Sequence, residues 1–200
     1  MPEQVKRGYL RGVRGVLLTP LEPDGSPKDP AADAYWIDTA QTVGVDVQVV
    51  DGEVSDLRGG DKLLVRVEDE DYIVGADLSF TDARFDAKVA EIIGAGSLIA
   101  EGEGEEEEIV GWEAPTVEDQ FERDAFKAEV YVQSFNARGG REAYLKYTFR
   151  YCRGFAPNID HSDQEWGTPE FTIKAREHPA GESAYKKEFV DSLPVEAGGE

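Results

Sequence analysis

Apolar residues recur at every second position in segment after segment of this chain, and that habit restricts it to half-buried β-strands. In "TVGVDVQVV", Val43, Val45, Val47 and Val49 share one face, with Gly44, Asp46 and Gln48 on the other. In "DYIVGADLSF", Tyr72, Val74, Ala76, Leu78 and Phe80 oppose Asp71, Ile73, Gly75, Asp77 and Ser79. The second half repeats the habit. "AFKAEVYVQSF" sets Phe126, Ala128, Val130 and Val132 against Lys127, Glu129, Tyr131 and Gln133. "AYLKYTFRYC" sets Leu145, Tyr147, Phe149 and Tyr151 against Lys146, Thr148 and Arg150, and "NARGGRE" suits the hairpin loop between these two. "PEFTIKARE" and "AYKKEFVD" supply two further short strands.

One helix interrupts the pattern. "TDARFDAKVAEIIGAG" places Phe85, Val89, Ile92 and Ile93 on a stripe, with Asp82 as the expected N-cap and Gly94 or Gly96 as the stop, so a helix is predicted over 82–95. Strands, one helix and more strands make an antiparallel β-rich domain rather than a βαβ repeat. At 200 residues the chain fits one such domain. Residues 1–11 read as an N-terminal arm, 12–194 as the β-domain and 195–200 as a tail. Within the domain, "EGEGEEEE" (101–108) has no apolar residue and reads as an exposed acidic loop.

Charge removes several functions. Forty-two acids against 21 bases give a net charge of -21, which opposes tight binding of nucleic acid or of an anionic membrane surface. No apolar run approaches the length of a membrane span, and the N-terminus lacks the apolar block of a signal peptide. The single cysteine, Cys152, excludes an internal disulfide framework and fits a reducing compartment.

Motifs for chemistry are missing. The sequence contains no G-x-S-x-G, no phosphate-binding G-x-x-x-x-G-K-[ST] and no H-E-x-x-H. "HSDQE" offers His161, Asp163 and Glu165, yet a metal needs three or four converging ligands and a polar loop accounts for the run better. "DGEVSD" and "EPDGSPKD" lack the full calcium-loop spacing. Cys152 stands in an alternating strand without a paired histidine, which suits an inert thiol. The expectation is a non-enzyme without cofactor or metal.

The remaining oddity is the segment 52–70, which includes "DLRGGDKLLVRVEDE". It mixes Arg58, Lys62 and Arg66 with acids around an apolar run, Leu63, Leu64, Val65 and Val67, unusual for a loop that meets only water. In order along the chain, "GVLLTPLEPDGSP", "WIDTAQTVGVDVQV", "SDLRGGDKLLVRVEDEDYIVGADLSFTDARFDAKVAEIIGAG", "PEFTIKARE" and "FVDSLP" resemble the major tail protein, or tail tube protein, of long-tailed bacteriophages. The likeness runs from about Gly12 to Pro194 and lies in the order of segments rather than in one motif.

That resemblance implies a mainly β, antiparallel sandwich or barrel-like fold with one flanking α-helix and a long inter-strand loop. It implies six-membered rings, assembled in the host cytoplasm and stacked into the hollow tube of a virion tail. Sheets of neighbouring subunits would join into a barrel around the lumen. A tape-measure protein would fill the tube, tail-end proteins would meet it, and DNA would pass through without tight binding. The loop, with Arg58, Lys62, Leu63, Leu64, Val65, Arg66 and Val67, would reach the adjacent subunit or ring. Asp46, Gln48, Asp77 and Ser79 would face the lumen, giving an acidic, cation-poor wall. Two other readings compete: a related secretion-tube ring protein, and an acidic soluble β-rich binding module.

Overall fold

The structure is a computed structural model that describes residues 6–29, 33–102, 108–119 and 123–194. The elements run β1 (Tyr9–Pro20), β2 (Tyr35–Ile37), β3 (Ala40–Val50), β4 (Val54–Gly59), β5 (Lys62–Glu68) and β6 (Tyr72–Asp82), then α1 (Ala87–Gly94). They continue with β7 (Ser97–Glu101), β8 (Glu108–Glu113), β9 (Phe126–Phe135), β10 (Arg141–Gly154), β11 (Glu170–Arg176) and β12 (Tyr185–Val190). The fold is mainly β, every pairing is antiparallel, and the sandwich-like sheet does not close into a barrel.

One large sheet has the order β2-β1-β9-β10-β11-β6-β3, with β12 added alongside β10. It folds over on itself at β10. The first half of β10 pairs with β12 from Tyr144 to Phe149, and its last four residues pair with β11. A register shift between Phe149 and Cys152 marks the switch, which is how a strand turns the corner between two layers. The same shift reverses the alternation expected there. Cys152 is fully buried, while Tyr151 turns outward to meet the His178 ring edge-on at 6.1 Å.

Between the layers lies one core. Val16, Leu18, Ile37, Leu78, Phe80, Val89, Ile93, Phe126, Phe149, Phe171 and Ile173 are all buried in it. Phe80 and Phe171, opposite each other on β6 and β11, stack with centroids 4.8 Å apart. Each such fully buried apolar side chain stabilises the fold by about 1.5–3 kcal/mol. Val43 and Val45 pack against this core as expected, but Val49 is 50% exposed. A register shift between Gln48 and Val49 turns that end of β3 outward. Tyr72 and Val74, at the paired end of β6, are exposed too.

β9 departs from the half-open reading. Glu129, Tyr131 and Gln133 on its polar face are buried along with its apolar face. Trp36 of β2 packs edge-on against Tyr131 at 5.6 Å. Glu129 lies within 3.7 Å of Lys127 and 3.6 Å of Lys146, so its carboxylate is paired rather than stranded.

The helix is shorter than predicted and starts later. Asp86, not Asp82, is the N-cap, accepting from the Lys88 and Val89 amides. Asp82 is instead the buried last residue of β6. Phe85 precedes the helix and is 46% exposed, so it is absent from the apolar stripe. Tyr35 donates to Asp86 at 2.6 Å, tying the cap to β2. That bond and burial push the Tyr35 hydroxyl pKa up to about 12.

Other boundaries shift as well. Residues 9–11, assigned to the arm, already belong to β1, and residues 1–5 lie outside the described residues. The ends of the acidic segment 101–108 belong to β7 and β8, where Glu101 pairs with Glu108. Its residues 103–107, and the tail at 195–200, lie outside the described residues. Among the described residues no helix is long and apolar enough to cross a membrane.

Candidate functional site

The inter-strand segment 52–70 is built as a β-hairpin. β4 and β5 pair from Val54↔Glu68 to Gly59↔Lys62 and belong to neither layer of the sandwich. The two-residue turn is Gly60-Asp61, and Gly60 has φ 64, the first position of a type II′ turn that favours glycine. A register shift between Leu57 and Arg58 explains why the alternation of this stretch is hard to read in sequence.

The hairpin has two unlike faces. Asp56 stands opposite Arg66 and binds its guanidinium at 2.9 Å, with Arg58 at 3.6 Å. The other face carries Val65 and Val67, with Leu57 directly opposite Val65 and Leu64 brought over Gly59 by the register shift, which sets Leu63 opposite Arg58 on the charged face. Every residue of β4 and β5 is exposed. Two-stranded hairpins are marginal in water on their own, and this one presents an apolar face that no other described residue buries. Sequence reasoning names Leu63, Leu64, Val65 and Val67 and leaves out Leu57, whose place opposite Val65 depends on the pairing register.

The lumen candidates converge on one surface. β3, β6 and β11 turn the same face outward, and Asp46 lies opposite Asp77 while Gly44 lies opposite Ser79. Gln48 donates to Asp46 at 3.3 Å. The structure therefore brings Asp46, Gln48, Asp77 and Ser79 together on the outward face.

Their surroundings differ from the expected cation-poor wall. The rows across the sheet continue onto β11 and β10. Asp77 faces Lys174, which faces Arg153. Arg176 donates to Asp77 at 3.2 Å. Asp46, Asp77 and Glu170 thus share the face with Lys174, Arg176 and Arg153, and its charge is balanced. The sequence could not reveal this, because strand order across a sheet is set by the fold.

Among the described residues, β3 pairs only with β6, β2 only with β1 and β12 only with β10, so each leaves a backbone edge open. The edge of β3 is eleven residues long, a template for pairing with another chain. β1 and β3 lie side by side without joining.

Among the described residues no three His, Cys, Asp or Glu side chains are placed to hold a metal ion. Burial pushes the Cys152 thiol up to about 12, so it remains protonated and inert near neutral pH.

No family model matches the chain, and no curated protein matches it. Among solved structures, a crystal structure of Hcp protein is similar at TM-score 0.33 and 11% identity, covering 88% of this chain and 98% of that one. A chain of the six-fold symmetrised cryo-EM structure of the anti-feeding prophage baseplate is similar at TM-score 0.29 and 12% identity, covering 96% and 98%. Likeness at these scores decides nothing about function.

Proposed function

We propose that this protein is a structural subunit that completes itself by assembly: copies form six-membered rings, and the rings stack into the hollow tube of a phage tail. The number six and the phage setting come from the sequence resemblance, as do the tape-measure and tail-end partners. One observation carries the reading, the β4–β5 hairpin with its uncovered apolar face. A second copy is the simplest cover, and it would complete the burial of side chains that are now about half exposed, contributing roughly 1 kcal/mol each.

The open edge of β3 supports the same reading, since ring closure removes edges. The outward face with Asp46, Gln48, Asp77 and Ser79 is proposed as the luminal wall. DNA carries about one negative charge per 1.7 Å of axis. On this wall Arg176 is paired with Asp77 and Lys174 stands opposite the same acid, so acids interrupt the bases that could hold phosphates. Passage without tight binding follows from that balance rather than from an excess of acid.

The test is a double substitution, Leu63→Asp with Val65→Asp, examined by negative-stain microscopy at raised salt, where the mutual repulsion of chains at -21 is screened. The wild type is expected to form rings or tubes. The variant is expected to keep its circular dichroism and its urea midpoint and to form neither. A variant that still assembles contradicts the proposal.

A further inference from the structure

Trp166 is 95% exposed. Tryptophan surrenders much apolar surface when it is covered, and it is enriched among the few residues that dominate interfaces. Its loop is built to present it. Asn158 and Glu170 exchange backbone hydrogen bonds of 3.0 and 2.9 Å, pinching the neck. Inside, Ser162 donates to the Glu165 carboxylate and accepts from the Glu165 amide. Gly167 packs so closely on the His161 ring that a Cβ there would lie 2.8 Å from Nδ1.

The sheet places this loop and the hairpin at opposite ends. The hairpin leaves β3 and enters β6 where Val50 pairs with Tyr72. The loop enters β11 where Glu170 pairs with Thr81. Those two points of β6 are nine residues apart, about 30 Å along the strand.

The loop is acidic and the hairpin is not. The hairpin, 54–68, holds Arg58, Lys62 and Arg66 against Asp56, Asp61 and Glu68, a net charge of 0 (3 − 3) in a chain of -21. Residues 158–170 hold Asp160, Asp163, Glu165 and Glu170 with no Lys or Arg. The Arg58 and Arg66 side chains are 64% and 56% exposed, available both to acids and to the face of an indole.

From this placement we infer that the hairpin of one copy docks on the Trp166 loop of the next, a head-to-tail contact along the β6 axis. Donor and acceptor occupy opposite ends, so the contact repeats from copy to copy instead of closing a pair. Stacked rings would be joined in this way. The inference rests on the self-assembly reading and names the surface that receives the hairpin.

Cysteine trapping separates the two ideas. Cys152 is buried and does not interfere. Leu64→Cys and Asp163→Cys proteins, mixed under assembling salt with a mild oxidant, are expected to give mixed disulfide dimers in excess over either homodimer. Trp166→Ala should melt like the wild type while needing roughly thirtyfold more protein to assemble, the scale of an interface hot spot. Normal assembly by Trp166→Ala, or Leu64→Cys joined mainly to itself, overturns the docking and leaves self-assembly standing. A wild type that stays monomeric at every salt concentration overturns both.

Discussion

Phe80 shows what holds the two layers together at the level of single residues. Stacked on Phe171 and fully buried, it leaves a void when shortened. Phe80→Ala is expected to lower unfolding stability by about 3–5 kcal/mol, read from urea denaturation. A second prediction concerns pH. Hydrogen bonds from Lys146 and then Lys186 hold the Glu188 carboxyl below the usual carboxylate range. Burial works against the charge of Lys146, yet its bonds to Glu188 and Glu129 outweigh that and raise its pKa. A depressed carboxyl stabilises the fold above its unfolded pKa of about 4.3 and loses that contribution as pH falls through the folded value. Wild type should therefore exceed Glu188→Gln by up to about 1 kcal/mol near pH 7. The gap should close in acid, as urea melts at a series of pH values would show. Single residues were legible in the sequence wherever the alternation ran undisturbed, as at Ala76, Leu78 and Phe80. They were not where a bulge reversed parity, as at Tyr151 and Cys152, or ended it, as at Val49. Such shifts leave no mark in composition.

Elements were legible in kind and less so at their ends. The strands around Asp46 and Asp77 and the single helix all lie where the periodicity puts them. The helix start was misread because two aspartates compete for the cap. Asp82 completes β6, and Asp86 gains the cap because Tyr35 and the first-turn amides converge on it. Asp86→Ala should cost about 1–2 kcal/mol, measured by urea denaturation, and the Tyr35 hydroxyl should titrate below its present value of about 12 once its carboxylate partner is gone. The hairpin was legible as an anomaly, an apolar run inside a charged stretch. Its pairing stayed hidden because Leu63, Leu64 and Val65 are consecutive and a register shift sits beside them. The Trp166 loop carried one readable signal, a lone tryptophan in "HSDQEWGTPE".

At the scale of the whole molecule, the chain combines a well-filled core with surfaces that its own residues do not complete. On the proposed reading, other copies would cover the hairpin, the β3 edge and the loop at the far end of β6 together. Net charge opposes that association in dilute salt and ceases to once it is screened. The balanced charge on the β3–β6–β11 face escapes sequence reasoning because Lys174 and Arg176 meet Asp77 only through strand order. Hydrogen exchange of the backbone amides in residues 54–68, followed as protein and salt concentrations are raised together, tests most directly whether another copy covers the hairpin. The account predicts fast exchange in dilute, low-salt solution and strong protection as particles form. Exchange that stays equally fast at every concentration, with or without particles, would contradict it.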